Sequence, residues 1–259
     1  MDNDNNFTRR DFIKTGVIGL AAIQLQDSSF AQTNPNTRKV KAIVFDGFVI
    51  FNSAPVFRLA DDLFKEKSSE LCKLWRTKQF EYTWLRTAAN KYKDFWQVTE
   101  DALIFASKQA GVSLAADQKQ QLMDAYLELE VWPDVKDGLI KLKELGFSLS
   151  FLSNFTVSML TSSLRHNHLE PYFDHLLSTD QVGFFKPGPS AYQMGIRATG
   201  LKKEEILFAA FGGWDAAGAK LFGYPTYWVN RANTVTEELG VQPDGVGKTL
   251  TDLIKFVNT

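Results

Sequence analysis

Residues 40–47 read Val-Lys-Ala-Ile-Val-Phe-Asp-Gly, a short apolar run with β-branched residues that ends at Asp46 and Gly47. Such a run predicts a buried strand. Asp-Gly between two apolar runs is also a strong signal for a tight hairpin, which would pair residues 40–45 with residues 48–51. The local pattern therefore leaves two interpretations of Asp46 open: a turn residue in a hairpin, or a polar residue at the carboxyl end of a strand.

The chain after Trp132 alternates between helical and strand patterns. A helix is expected to open at Pro133 and to end by Gly146, with further helices at residues 157–166, 189–199, 216–222 and 250–257. Strands are expected at residues 147–152, 175–178, 206–211 and 226–229. Strands separated by helices predict a parallel sheet with right-handed crossovers. The predicted fold class is therefore α/β with a Rossmann-like sheet that includes residues 40–45.

Residues 55–129 have a different character. Their apolar side chains recur at helical spacing, for example at Leu71, Trp75 and Tyr82, without a convincing strand pattern. We therefore predict a helical cap at residues 55–129, inserted after the first strand of a core domain made of residues 39–54 and 130–259. An exposed aromatic face of this cap could support a homodimer.

The first residues resemble an export signal. Arg9-Arg10 is followed by Phe12, an uncharged stretch at residues 15–26 and a small-residue site ending at Ala31. The paired arginines resemble the bacterial twin-arginine signal, and the uncharged stretch is too short to span a membrane. We expect a signal peptide at residues 1–31, a linker at 32–38, the twin-arginine export machinery as a partner and a periplasmic location.

Composition narrows the class of function. The 259 residues carry 29 basic and 30 acidic side chains, a formal net charge of −1, which argues against a general nucleic-acid binder. The single cysteine excludes an intramolecular disulfide, and with only three histidines a thiolate-rich zinc site is not expected. Apolar residues make up 44%, which suits a folded globular chain.

Polar residues follow the predicted strands. In an open parallel sheet, ligands bind beyond the carboxyl ends of the strands. The residues at those ends are Asp46, the pair Ser153-Asn154, Lys186 in the loop after the third strand, and the pair Trp214-Asp215. Two carboxylates, one ammonium and two small polar groups are therefore predicted to converge on one crevice.

This series resembles the haloacid dehalogenase superfamily: a strand ending in Asp, a strand ending in Ser-Asn, a Lys-Pro pair, and a strand followed by Asp. Longer segments are similar to its L-2-haloacid dehalogenase (type II) branch. They are residues 74–86 (LWRTKQFEYTWLR), 99–103 (TEDAL), 173–178 (FDHLLS) and 214–219 (WDAAGA). The likeness covers essentially all of residues 40–257.

The resemblance implies hydrolysis of short L-2-haloalkanoic acids to 2-hydroxy acids, without metal or organic cofactor. Asp46 would be the nucleophile that forms an aspartyl ester, Lys186 would keep it ionised, and Asp215 would pair with Lys186 and position the hydrolytic water. The implied substrate and halide contacts are Ser153 for the substrate carboxylate, Arg76 and Asn154 for the halide, and Phe48 and Trp214 as apolar walls.

Two alternatives remain. In the dehalogenases, hydroxyl and amide side chains stand at the positions of Ile50, Ala210 and Gly212, so this chain could have lost turnover and could bind a small carboxylate or anion instead. A Mg²⁺-dependent phosphatase is the second alternative. The phosphatases of the superfamily carry an acid two residues after the nucleophile, where this chain has Phe48, so phosphoryl transfer is disfavoured.

Overall fold

The computed structural model describes residues 40–259. The predicted signal peptide, the linker and the twin-arginine pair lie outside the described residues. Within residues 40–259, no helix is both long enough and apolar enough to cross a membrane.

The centre of the fold is a six-stranded parallel sheet. Its strands are β1 (Ala42–Phe45), β4 (Ser148–Ser153), β5 (His175–Ser178), β6 (Ile206–Ala210), β7 (Thr226–Val229) and β8 (Gly245–Gly247), in the order β5-β4-β1-β6-β7-β8. Every neighbouring pair is parallel, so the predicted α/β class is confirmed. β8 was not expected, because two of its three residues are glycines, which strands disfavour.

The hairpin interpretation of Asp46-Gly47 is wrong. β1 pairs on one side with β4 and on the other with β6, both in parallel register, and Gly47–Ile50 forms a four-residue helix, α1. All four residues of β1 are buried. A strand with two parallel partners gains more buried apolar surface than a hairpin at the sheet edge would allow, so tertiary pairing overrides the local turn signal.

The helices that connect the strands are α6 (Val135–Glu144), α7 (Val157–Asn167), α8 (Pro189–Thr199), α9 (Gly213–Phe222) and α10 (Leu250–Val257). Two of them begin at a different residue from the one expected. α6 begins two residues after Pro133, and α9 begins at Gly213 rather than at residue 216. The earlier start of α9 places Trp214 and Asp215 in its first turn.

A helical segment is inserted between two short strands that follow β1. The strands β2 (Phe51–Asn52) and β3 (Glu130–Val131) pair antiparallel where the chain leaves and re-enters the core. Between them lie α2 (Ala54–Phe64), α3 (Ser68–Ala88), α4 (Phe95–Gln109) and α5 (Ala116–Asp124). Helix α3 is joined to α4 by the indole of Trp75, which donates to the Thr99 carbonyl at 2.9 Å.

Candidate active site

Asp46 lies immediately after β1 and caps the short helix α1. Its Oδ1 accepts a hydrogen bond from the Phe48 amide at 2.9 Å, and its own amide donates to the Ala209 carbonyl at 3.0 Å. The residue is only 8% exposed. Backbone contacts from both sides therefore fix the direction in which the carboxylate points.

Lys186 connects two carboxylates that lie 169 positions apart in the chain. Its Nζ donates to Asp46 Oδ2 at 2.7 Å and to Asp215 Oδ2 at 2.6 Å. The lysine is completely buried, and Nζ also lies 5.0 Å from the centre of the Phe208 ring. Its amide donates to Asn154 Oδ1 at 3.1 Å, which ties the loop that carries the lysine to the end of β4.

The pKa values in this cluster follow from burial and charge. Burial acts to lower the pKa of Lys186, but the charges of Asp215 and Asp46 outweigh it and the pKa lies above its ordinary value. Burial raises the pKa of Asp215 to about 6, although the ammonium of Lys186 opposes this rise. The ammonium is therefore a permanent positive charge at neutral pH, in contact with both carboxylates.

Tyr192 on α8 is a fourth member of the cluster. Its hydroxyl donates to Asp215 Oδ1 at 2.7 Å, and its carbonyl accepts from the hydroxyl of Tyr224 at 2.6 Å. Burial and the charge of Asp215 raise the pKa of Tyr192 well above its ordinary value, so the hydroxyl keeps its proton. Tyr192 is not among the predicted site residues, because its hydroxyl partner lies 23 positions away in the chain.

Ser153 and Asn154 lie at the carboxyl end of β4, as expected, and both are buried. Ser153 Oγ accepts from the Phe155 amide at 3.1 Å, which leaves its hydroxyl proton available as a donor. The carbonyl oxygen of the Asn154 side chain is used by Lys186, which turns its amide nitrogen away from that contact. Both residues therefore offer donors to an anion in the crevice.

Arg76 comes from helix α3, outside the core. Its guanidinium carbon lies 4.1 Å from the centre of the Phe48 ring and 4.5 Å from that of Phe80, and Nη1 donates to Gln79 Oε1 at 2.9 Å. Burial lowers the pKa of Arg76, opposed by Tyr126 and Asp46. Within residues 40–259 it forms no ion pair with a carboxylate.

Gln79 holds Arg76 in place and was not anticipated. Its amide donates to Thr99 Oγ1 at 2.8 Å, and that hydroxyl donates to the Phe95 carbonyl at 2.6 Å. Gln79 and Thr99 are both completely buried. The spacing of Arg76 and Gln79 on one helix face was the available signal, since residues three apart are neighbours on a helix.

A narrow cavity with room for about one water molecule lies over Asp46. Its polar lining consists of Asp46, Ser153, Asn154 and Asp215. The remaining lining is mostly aromatic, from Phe48, Phe80, Phe95, Phe155, Phe211 and Trp214, with Gly212 between them. Six of the eight predicted site residues therefore line the cavity, while Lys186 contacts both carboxylates and Arg76 covers the Phe48 ring.

A carboxylate in a narrow aromatic cavity is suited to covalent nucleophilic attack, because few water molecules can solvate its oxygens there. The donors of Ser153, Asn154 and Arg76 supply the charge-stabilising groups that an anionic substrate or leaving group requires.

Known proteins share this sequence and fold. Residues 40–223 match the family model described as haloacid dehalogenase-like hydrolase. The chain is 40% identical over 221 residues to an (S)-2-haloacid dehalogenase of Pseudomonas sp. (strain YL), covering 85% of this chain and 95% of that protein.

Solved structures agree with this assignment. The crystal structure of an L-2-haloacid dehalogenase superposes with a TM-score of 0.84 at 36% identity, covering 85% of this chain and all of that one. The L-2-haloacid dehalogenase from Xanthobacter autotrophicus, with chloropropionic acid covalently bound, superposes with a TM-score of 0.78 at 28% identity, covering 85% of this chain and 98% of that one. The chain therefore belongs to the haloacid dehalogenase-like hydrolase family and is a dehalogenase-like hydrolase.

Proposed function

We propose that this protein hydrolyses short L-2-haloalkanoic acids to 2-hydroxy acids through an aspartyl ester on Asp46, without a metal. The observation that carries this proposal is the double contact of Lys186 Nζ, at 2.7 Å from Asp46 and 2.6 Å from Asp215, beneath an aromatic cavity. The Lys186 ammonium lies between the two carboxylates and contacts one oxygen of each. A hard cation at that position would need these oxygens as ligands.

In the first step, a carboxylate oxygen of Asp46 attacks the carbon that bears the halogen. The carbon–halogen bond breaks, the halide leaves with the bonding electron pair, and the carbon inverts. Ser153 holds the substrate carboxylate, and Arg76 and Asn154 stabilise the halide as its charge develops. The covalently bound chloropropionic acid of the Xanthobacter relative supports such an intermediate.

In the second step, water attacks the ester carbonyl of Asp46. Asp215 takes the proton of this water, because its raised pKa makes it a stronger base than an ordinary aspartate. The bond between the carboxyl carbon of Asp46 and the substrate oxygen then breaks. The leaving oxygen takes the remaining proton of the attacking water, so the 2-hydroxy acid leaves and Asp46 is restored as a carboxylate, while Asp215 releases its proton to solvent.

The test is halide release from L-2-chloropropionate by the purified mature protein. We expect turnover in the unmodified protein and in Asp124→Ala, whose carboxylate is exposed on α5. Asp46→Ala is expected to release no halide above buffer. Equal release by the unmodified protein and Asp46→Ala would exclude Asp46 as the nucleophile.

A catalytically impaired protein that binds a small carboxylate or anion is the second candidate. Ile50 and Ala210 are completely buried and apolar, so they offer no donor to a hydrolytic water. Intact mass spectra after mixing with L-2-chloropropionate separate the candidates. A persistent adduct on Asp46 would favour the impaired protein, and a fast return to the free mass would favour turnover. In a separate assay, phosphate release that needs added Mg²⁺ would support a phosphatase.

We also propose export by the twin-arginine machinery to the periplasm, on the basis of Arg9-Arg10 and the uncharged stretch after them. The expected result is periplasmic protein in a bacterial host and cytoplasmic retention when both arginines are replaced by lysine. Unchanged export of the double lysine variant would contradict the assignment of this pathway.

Association into a homodimer through the helical segment is a further proposal. Trp84 and Leu85 on α3 are 38% and 62% exposed, which provides apolar surface on that segment. A monomeric mass in light scattering at micromolar concentration would contradict it.

A further inference from the structure

The loop that carries Asp46 is held from behind by groups outside the cavity. Helix α1 is a single turn, so its last carbonyl groups have no partner within the helix. Trp132 fills two of these places: its indole Nε1 donates to the Phe48 carbonyl at 3.1 Å and its amide donates to the Ile50 carbonyl at 3.2 Å.

Arg231 fills the place between them. It follows β7 by two residues, 182 positions after Val49, and its Nη2 donates to the Val49 carbonyl at 2.9 Å. Three consecutive carbonyls of the nucleophile loop are therefore bound by two side chains and one amide. The guanidinium carbon lies 4.8 Å from the centre of the Trp132 ring, so the two holding residues also contact each other.

Asp134 fixes the direction of the guanidinium. Its two oxygens accept from Arg231 Nη1 at 2.8 Å and from Nη2 at 3.2 Å, a two-pronged contact that sets the plane of the arginine. Asp134 Oδ2 also accepts from the Leu250 amide at 2.6 Å, which anchors the pair to the start of α10. The Arg231 side chain is only 7% exposed, so water does not compete strongly for these contacts.

We propose that Trp132, Asp134 and Arg231 form a clamp that positions the nucleophile loop, with Arg231 as its main positioning residue. None of the three lines the cavity, so they act on the reaction only through the backbone of residues 48–50. This inference rests on the proposed nucleophilic role of Asp46. Releasing the carbonyls lets α1 shift, which moves Asp46 relative to Lys186.

The test compares Arg231→Ala and Arg231→Lys with the unmodified protein and with Arg86→Ala. Arg86 is a matched control, because it also pairs with an aspartate, Asp101, at 2.9 Å, but on the helical segment. For Arg231→Ala we expect a loss in kcat on the order of 100-fold, as for a misplaced reacting group, with little change in KM. Added guanidinium ion at low millimolar concentration should restore part of kcat in Arg231→Ala and none in the control.

Amide hydrogen exchange gives a readout that does not depend on turnover. Exchange at residues 47–51 should accelerate in Arg231→Ala and remain unchanged in Arg86→Ala. Unchanged exchange together with unchanged kcat would overturn the clamp. If the unmodified protein releases no halide, the proposed function fails, while the exchange comparison still decides the clamp.

A milder variant covers the case in which Arg231→Ala does not fold. Trp132→Phe removes the Nε1 donor to the Phe48 carbonyl but keeps a ring beside Arg231. It should show the same direction of change in kcat and in exchange at residues 47–51. A folded Trp132→Phe protein with both quantities at their unmodified values would contradict the clamp.

Discussion

Replacing Lys186 by Met removes the one ammonium between Asp46 and Asp215 and keeps a side chain of similar length. Both carboxylates contact the same Nζ atom, at 2.7 and 2.6 Å. Without it, two negative charges about 5 Å apart repel by about 3 kcal/mol at an effective dielectric constant of about 20. This repulsion corresponds to a rise of roughly two pKa units for one of the two carboxyls, and burial adds to it.

The variant should lose both activity and stability. A shared proton between Asp46 and Asp215 removes the ionised nucleophile at low pH, so we expect the acid limb of halide release to move up by roughly two pH units and the rate below that limb to fall by up to about 100-fold. Removing one partner of a buried ion pair typically costs about 3–5 kcal/mol in the free energy of unfolding. Initial rates across pH and urea unfolding measure the two quantities.

The double variant Lys186→Met/Asp215→Asn separates charge from packing. The amide removes the second negative charge, so the free energy of unfolding should recover part of its loss and Asp46 should ionise at lower pH than in Lys186→Met. The electrostatic reasoning is refuted if Lys186→Met keeps both the pH profile and a rate within about threefold of the unmodified protein. A threefold change in rate is well below the change that one pKa unit represents, so the ammonium would then not control Asp46.

Three further results are expected. Burial raises the pKa of Asp215 from 3.8 to about 6, so the folded protein binds more protons than the unfolded chain between these two pH values. The free energy of unfolding, measured by urea unfolding, should therefore fall by about 3 kcal/mol as the pH rises through this window. The initial rate of halide release should increase over the same window. A Cβ at Gly212 would lie 2.7 Å from Trp214 Nε1, so Gly212→Asn must displace the indole. We expect a lower melting temperature together with faster decay of the Asp46 adduct in intact mass spectra. An unchanged melting temperature would show that the new side chain does not crowd the indole. Trp214 lines the cavity over Asp46 and also borders an outer apolar groove that includes Pro187, Leu221 and Leu239. Trp214→Ala should therefore raise kcat/KM for 2-bromooctanoate relative to 2-bromopropionate. An unchanged ratio would show that the indole does not separate the cavity from the groove.

The sequence predicted which residues meet but not how they touch. Asp46, Ser153 and Asp215 could be placed together because the carboxyl ends of parallel strands share one edge of a sheet. The link from Lys186 to both carboxylates depends on the path of the loop after β5, which no periodicity describes. Tyr192 was hidden for a related reason, since its partner Asp215 is distant in the chain, whereas Gln79 lies one helical turn from Arg76.

The errors came from local rules that tertiary structure overrides. Asp46-Gly47 has the composition of a hairpin turn, yet β1 finds two parallel partners and Asp46 caps a helix instead. The helix expected at residues 216–222 begins instead at Gly213, since glycine is well tolerated where a helix begins. Arg231 lies in a polar loop after β7, and its contact with the Val49 carbonyl, 182 residues away, has no sequence signature.

The charges of the site explain why Arg76 must come from outside the core. Asp46 and Asp215 carry two negative charges, and the buried ammonium of Lys186 offsets one of them. An anionic substrate adds another, which the core alone leaves uncompensated in an aromatic cavity of low polarity. Arg76 supplies the missing positive charge, held over Phe48 by Gln79 rather than by a carboxylate, so that charge remains available to an anion. In the proposed attack the negative charge leaves Asp46 and moves to the halide, and therefore toward Arg76, the proposed halide ligand, and away from Lys186. A guanidinium already paired with a carboxylate could not stabilise that movement, which makes the neutral partner Gln79 as necessary to the chemistry as the arginine it orients.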